Sequence, residues 1–275
     1  MNVFGWVTFT VLFLIMITLD LFVAHRKNKE IEIRDALMWT GFWVSLALAF
    51  GAGIYYFQGQ TKALEYLAGY LLEYSLSVDN LFVFLMIFSY FSVPGIYQHK
   101  ALLWGIIGAL VMRALFIAAG VALVTKFHWL IYVFGVFLIY TAVKMARGHD
   151  KDIHLEKNPA LRLLHKVIPV TTDYGKGKFF VRIDGVLHAT PLFAVILVIE
   201  PTDLMFAIDS IPAILAITTD PFIVYTSNIF AIMGLRSLFF ALAGLMRLFR
   251  YIRHGLVTIL IFVGVKMLIQ DLFHI

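Results

Sequence analysis

The sequence predicts an all-α fold: a polytopic transmembrane helical bundle in which a three-helix unit occurs twice, as an inverted repeat. Three observations lead there. Apolar runs of about 20 residues, the length that crosses a bilayer, recur along the whole chain. Basic residues collect in alternate connections between those runs. An ordered series of acid, acid, arginine and lysine appears twice inside the runs. At 61% hydrophobic, 14% charged and mean hydropathy +0.90, the chain has too little polar surface to cover a water-soluble globule of 275 residues.

The first run, 3–24, begins without a basic n-region and shows no small-residue cleavage site, so it reads as a retained helix rather than a signal peptide. With 36–57 it makes an N-terminal pair of helices within residues 1–62. Runs 63–92, 101–124 and 129–145 form the first repeat, 63–145. A polar connection, 146–186, follows, and runs 187–216, 222–244 and 255–272 form the second repeat, 187–275. In the connection, Pro159 followed by Leu161, Leu164, His165 and Ile168 suggests a short amphipathic helix with proline near its first turn. Residues 179–186 suggest a β-hairpin with a type I′ turn at Asp184-Gly185, where both residues need positive φ. A linker without structure is the alternative for the whole connection.

Orientation follows from charge. Sixteen of the 22 basic residues lie in alternate connections: Arg26 to Arg34, Lys100, Arg147 to Arg182, and Arg247 to Arg253. Only Lys62 and Lys126 lie in the others. The positive-inside rule then puts the N-terminus outside and 146–186 in the cytoplasm. The net charge of +5 and pI near 9.3 are thereby assigned to topology, with no nucleic-acid partner implied.

The repeat is found by superposing the acidic segments. Glu73 falls on Asp203, Asp79 on Asp209, Asn80 on Ser210, Arg113 on Arg236 and Lys144 on Lys266. Each unit has three helices, an odd number, so the second enters the membrane from the opposite side. Many transporters build a midplane site this way. A carboxylate at a membrane centre costs about 2.5–3.5 kcal/mol, so four of them need partners. Glu73 and Asp79 stand six residues apart, which on a regular helix leaves them about 120° apart around the axis. For both acids to reach one ion, the helix is expected to unwind locally, as Pro201 and Pro212 suggest for the second copy.

Carboxylates beside an amide or hydroxyl suit hard divalent cations such as Mg2+, Ca2+ and Mn2+. The expected ligands are Glu73, Asp79, Asn80, Asp203, Asp209 and Ser210, with Arg113 and Arg236 as charge compensation and Glu200 as either an outer ligand or a partner behind the ligands. The alternative for the acids is ion pairing with the arginines that only ties helices together. Lys144 and Lys266 read as snorkelling charges, or as gates closed by salt bridges. There is no cysteine, none of the nine histidines lies clearly at the centre of a run, and no HExxH occurs. Thiolate and zinc sites and an intramembrane metalloprotease are therefore disfavoured. The chain is not expected to be an enzyme, and no catalytic residue or organic cofactor is assigned.

Several motifs make the chain similar to the TerC family, and most to its Alx-type branch. They are Glu73 to Asn80, Phe88 to Pro94, Val143-Lys144-Met145, and Ala207 to Ala213 through Thr218 to Phe222 and on to Gly234-Leu235-Arg236. The resemblance covers essentially the whole chain. It implies a bacterial inner-membrane protein that exports manganese, with Glu73, Asp79, Asp203 and Asp209 handling the metal. The other class it implies is a membrane-protein assembly or metal-supply factor that docks a partner on 146–186. Similar proteins usually carry a further apolar helix after Phe273-His274-Ile275. Lipid and a divalent ion are the expected partners, with proton coupling.

Overall fold

The structure, a computed structural model, describes residues 3–25, 33–127, 129–146, 159–245 and 252–273. Of the basic residues that set the expected orientation, Arg26, Lys27, Lys29, Arg147, Lys151, Lys157, Arg247 and Arg250 lie outside them.

The apolar runs become helices: α1 (Val3–His25), α2 (Ile33–Gln58), α3 (Gln60–Tyr90), α4 (Gly95–Lys126) and α5 (Leu130–Ala146) precede the long connection. After it come α7 (Pro191–Leu215), α8 (Pro221–Met233), α9 (Leu235–Leu245) and α10 (Ile252–Phe273). Gly234 separates α8 from α9. A Cβ there would stand 3.4 Å from the Trp43 Cβ and 3.7 Å from the Tyr74 ring. By length and composition α2, α3, α4, α7 and the α8–α9 stretch Pro221–Leu242 can each cross a membrane, and α1, α5 and α10 contain shorter apolar stretches. Exposed Leu14, Val111, Leu115 and Phe262 are the apolar outer faces expected where lipid replaces water.

Local chemistry sets the ends. Pro191 and Pro221 occupy first-turn positions of α7 and α8, where the missing N–H costs nothing. Asp220 caps α8, its Oδ1 accepting from the Phe222 N–H at 3.0 Å. Between α3 and α4 the chain turns in four residues, 91–94, with Ser92 at φ 52°.

The long connection is structured where it is described. Helix α6 (Pro159–Val167) buries Leu161 and Leu164 and exposes Leu163 and Val167. Strands β1 (Phe180–Ile183) and β2 (Val186–Ala189) pair antiparallel around Asp184 and Gly185, at φ 49° and 81°. Both expected elements are present. The second strand runs on to Ala189, so α7 begins at Pro191 instead of 187. Residues 186–189 are apolar enough to read as helix, but their backbone is used by the ladder.

This segment clamps one end of the bundle. The Tyr174 hydroxyl donates to the Phe91 carbonyl at 2.7 Å, and its ring stacks on Tyr97. Lys100 donates to the Gly177 carbonyl at 2.7 Å and lies over the Phe179 ring. Gly177, at φ 80°, sits where a Cβ would meet the Tyr97 ring at 3.0 Å. At the opposite end Lys62 pairs with Glu65 at 2.8 Å and Asp220 at 3.3 Å. Thr218 donates to Glu65 at 2.6 Å, which ties the α7–α8 turn to the start of α3.

Three apolar clusters fill the bundle. One joins α1, α2, α8 and the first half of α3; another joins α4, α5, α10, the middle of α3 and the last third of α7; the third lies at the clamped end. Helices α5 and α10 meet closely at glycines, since a Cβ on Gly135 would come within 3.0 Å of the Gly264 carbonyl. Small residues allow such close approach between membrane helices.

Candidate functional site

Glu73, midway along α3, is completely buried, as are Arg113 of α4 and Asp203 of α7, at 0%, 2% and 6% exposure. Arg113 joins them. Its Nη1 donates to Glu73 Oε1, its Nε to Asp203 Oδ2 at 3.3 Å and its Nη2 to Asp203 Oδ1 at 3.4 Å. Ser77, one turn along α3, donates to the same Glu73 oxygen at 3.5 Å. One guanidinium therefore serves one acid from each acidic segment, and with both acids ionised the triad carries a charge of −1. A buried ion pair seldom recovers its desolvation cost, so this arrangement is poorly explained by stability alone.

The triad corrects the expectation of unwinding. Both α3 and α7 run as helices through their acidic segments, with Pro201 and Pro212 inside α7. Pro201 takes one N–H from the ladder, the one that would reach the Leu197 carbonyl, and Thr202 beside it returns its hydroxyl to the Val198 carbonyl at 2.8 Å. Convergence comes from neighbouring helices instead: Glu73 meets Asp203 through Arg113. The side chains of Asp79 and Asp209 lie outside the described part of the structure.

The other expected residues fall around this centre or away from it. Ser210 is buried and its hydroxyl has no partner among the described residues; the same holds for the second oxygen of Glu73, Oε2. Arg236 is buried, and Asn80 and Glu200 are partly buried. Lys144 is exposed and Lys266 partly exposed, and neither makes an ion pair among the described residues. Among the described residues no three Asp, Glu or His side chains come together as a metal-holding group.

Two features escaped the sequence reading. Glu200, one turn from Asp203 toward the clamped end, lies directly on Gly108 of α4, and a Cβ there would fall inside its carboxylate. The signal was a glycine in an apolar run, which is common and unspecific. Asn228 of α8 is buried, and its Nδ2 has no acceptor among the described residues. Chemically, the centre offers carboxylate oxygens, one of them, Glu73 Oε2, without a partner among the described residues, around a cation that the protein supplies itself.

Comparison with known proteins agrees with this architecture. The chain is 50% identical over 266 residues, 97% of its length, to "Uncharacterized membrane protein STKORF319" of Myxococcus xanthus, covering 83% of that relative. It is 45% and 44% identical over 279 residues to proteins of Salmonella typhi and Escherichia coli K12, covering 98% of this chain and 87% of each relative. Both carry the name "Putative membrane-bound redox modulator Alx". No solved structure matches. The pattern of one family matches residues 58–275, the part that holds Glu73, Arg113 and Asp203. With that match and these relatives, the chain belongs to the Integral membrane protein TerC family.

Proposed function

We propose that the protein exports a hard divalent cation, manganese(II), across the bacterial inner membrane. The site would consist of Glu73, Asp79, Asn80, Asp203, Asp209 and Ser210. The observation that carries this reading is the shared guanidinium: Arg113 holds one carboxylate from each acidic segment, while Glu73 Oε2 and the Ser210 hydroxyl have no partner among the described residues. Arg113 occupies the place of a cation. An arriving divalent ion takes over the carboxylates and displaces it, and the empty site stays closed to lipid.

The packing supports two inverted units that rock about this site. Helix α3 lies against α8 as α7 lies against α4, and α5 lies against α10, the pairing that a two-fold axis in the membrane plane would produce. In this reading the N-terminus is outside and the clamp formed by residues 159–190 is cytoplasmic. Glu200 then lies on the cytoplasmic approach to the triad, placed to receive the ion or a proton. Ionised carboxylates crowded in a dry site repel one another, so cation binding releases protons.

The name of the Alx relatives speaks of redox modulation. This chain has no cysteine, so no thiol carries such a reaction here, and an effect on redox balance would pass through the ion. The second reading, an assembly or metal-supply factor, draws on the exposed Leu163, Val167, Ile183, Val186 and Leu187 of the connection, an apolar surface on which a partner could dock.

Sealed vesicles containing only this protein test the first reading. Manganese should cross them, with calcium and magnesium as competitors, and Asp79→Asn and Asp209→Asn should each abolish the flux. Absence of manganese flux in the parent would overturn export. Complementation that survives both Asn variants but not changes in 159–186 would favour the second reading.

A further inference from the structure

Helix α8 brings one more polar side chain to the centre. Asn228 is 1% exposed, and its Nδ2 has no acceptor among the described residues. Its neighbours are self-sufficient: Thr226 and Ser227 return their hydroxyls to the Phe222 and Ile223 carbonyls, each at 2.7 Å. Asn228 Nδ2 makes no such return to its own helix among the described residues.

The surrounding contacts fix the direction in which it faces. At about 100° per residue, Asn228 falls about 40° from Val224 and about 60° from Tyr225 around the axis of α8. Val224 packs in the cluster with Leu72 and Leu76 of α3 and Ile211 and Ile214 of α7. Tyr225 donates its hydroxyl to the carbonyl of Ala114, the residue after Arg113, at 2.6 Å. Asn228 therefore faces the wedge between α3, α4 and α7, where Arg113 joins Glu73 to Asp203. Its depth agrees. Ser227 Oγ lies 3.0 Å from where a Cβ on Gly69 would stand, and Gly69 is one turn before Glu73 on the same face of α3.

Resting on the cation-export reading, we propose that Asn228 is a neutral oxygen ligand of the site. The oxygen and nitrogen of a carboxamide fill the same shape, so a half-turn about its last torsion exchanges them without repacking. In the empty site the orphaned NH2 faces the wedge. When the cation arrives the group turns over and presents Oδ1. A neutral donor adds coordination without adding repulsion to four carboxylates, and it holds the ion less tightly than a fifth charge would, which favours release. The equivalent position of the first repeat is Gly105, so this ligand comes from one repeat only and makes the two sides of the site unequal.

The test uses the full chain in lipid nanodiscs, with Mn2+ titrations by calorimetry and melting temperatures with and without Mn2+. Asn228→Leu should weaken Mn2+ binding at least tenfold, yet raise the melting temperature without metal, because it removes an orphaned NH2. An asparagine that only fills the core gives a different result: Mn2+ affinity within twofold of the parent, which overturns the assignment. If Asn228→Leu does not accumulate, Asn228→Asp decides. It places a charge on the ion, so Mn2+ should raise its melting temperature more than the parent's, and an equal or smaller rise overturns the assignment. A parent that binds no Mn2+ overturns this inference and the export reading together, whereas a parent that binds beside an unaffected Asn228→Leu overturns this inference alone.

Discussion

Replacing Arg113 by methionine keeps most of the side-chain bulk and removes the charge that Glu73 and Asp203 share. The guanidinium makes three hydrogen bonds to these acids, and the wild-type charge of −1 becomes −2 in a fully buried setting. Breaking a buried ion pair costs about 3–5 kcal/mol, and at about 2–4 °C per kcal/mol the melting temperature should fall by roughly 6–20 °C. Intrinsic fluorescence of the five tryptophans in detergent follows the transition. The reasoning predicts a further, opposite result. The triple variant Arg113→Met, Glu73→Gln, Asp203→Asn has no buried charge left among these three, so it should recover most of the loss while binding no cation. Manganese should also stabilise Arg113→Met more than the parent, since no guanidinium competes for the carboxylates. A loss under about 1 kcal/mol for Arg113→Met, or a triple variant as unstable as the single, would show that the triad is not the coupled unit drawn here.

Gly108→Ala puts a methyl group inside the Glu200 carboxylate. The glutamate must swing away, costing about 1–3 kcal/mol; Glu200→Ala in the same chain should restore the melting temperature. At the clamp, burial holds the Tyr174 phenol above its ordinary value near 10. The unfolded chain therefore ionises first, and stability falls as pH climbs past about 10 toward the folded value. Tyr174→Phe should lose about 0.5–1.5 kcal/mol near neutral pH with its bond to Phe91, and should show a shallower alkaline decline in a pH series of melting temperatures.

Much of this was legible because the strongest signals were local. Apolar runs located the helices, and the short hairpin was visible in Asp184-Gly185, whose positive φ values few other dipeptides accept. What failed was non-local. Proline inside an acidic segment suggested unwinding, but the acids had a better solution in Arg113, 40 residues from Glu73 and 90 from Asp203. The repeat marks Arg113 as charge compensation but does not show that one guanidinium serves both acids. Asn228 was hidden for another reason. It follows Thr226 and Ser227, which return to their own helix, and only contacts with α3 and α4 distinguish it from them.

The tight turn at 91–94 also has a meaning for how the chain enters the membrane. Helices α3 and α4 are joined so closely that they can leave the ribosome and cross into lipid as one hairpin, and that hairpin already contains Glu73 and Arg113 in contact. The acid and the base offset each other's insertion cost, about 2.5–3.5 kcal/mol apiece at the membrane centre, before any later helix exists. Asp203 meets a base from that same hairpin. It reaches the bilayer some 90 residues after Arg113 and is accepted by a base already waiting there, so the order of synthesis is also the order in which the buried charges find their places.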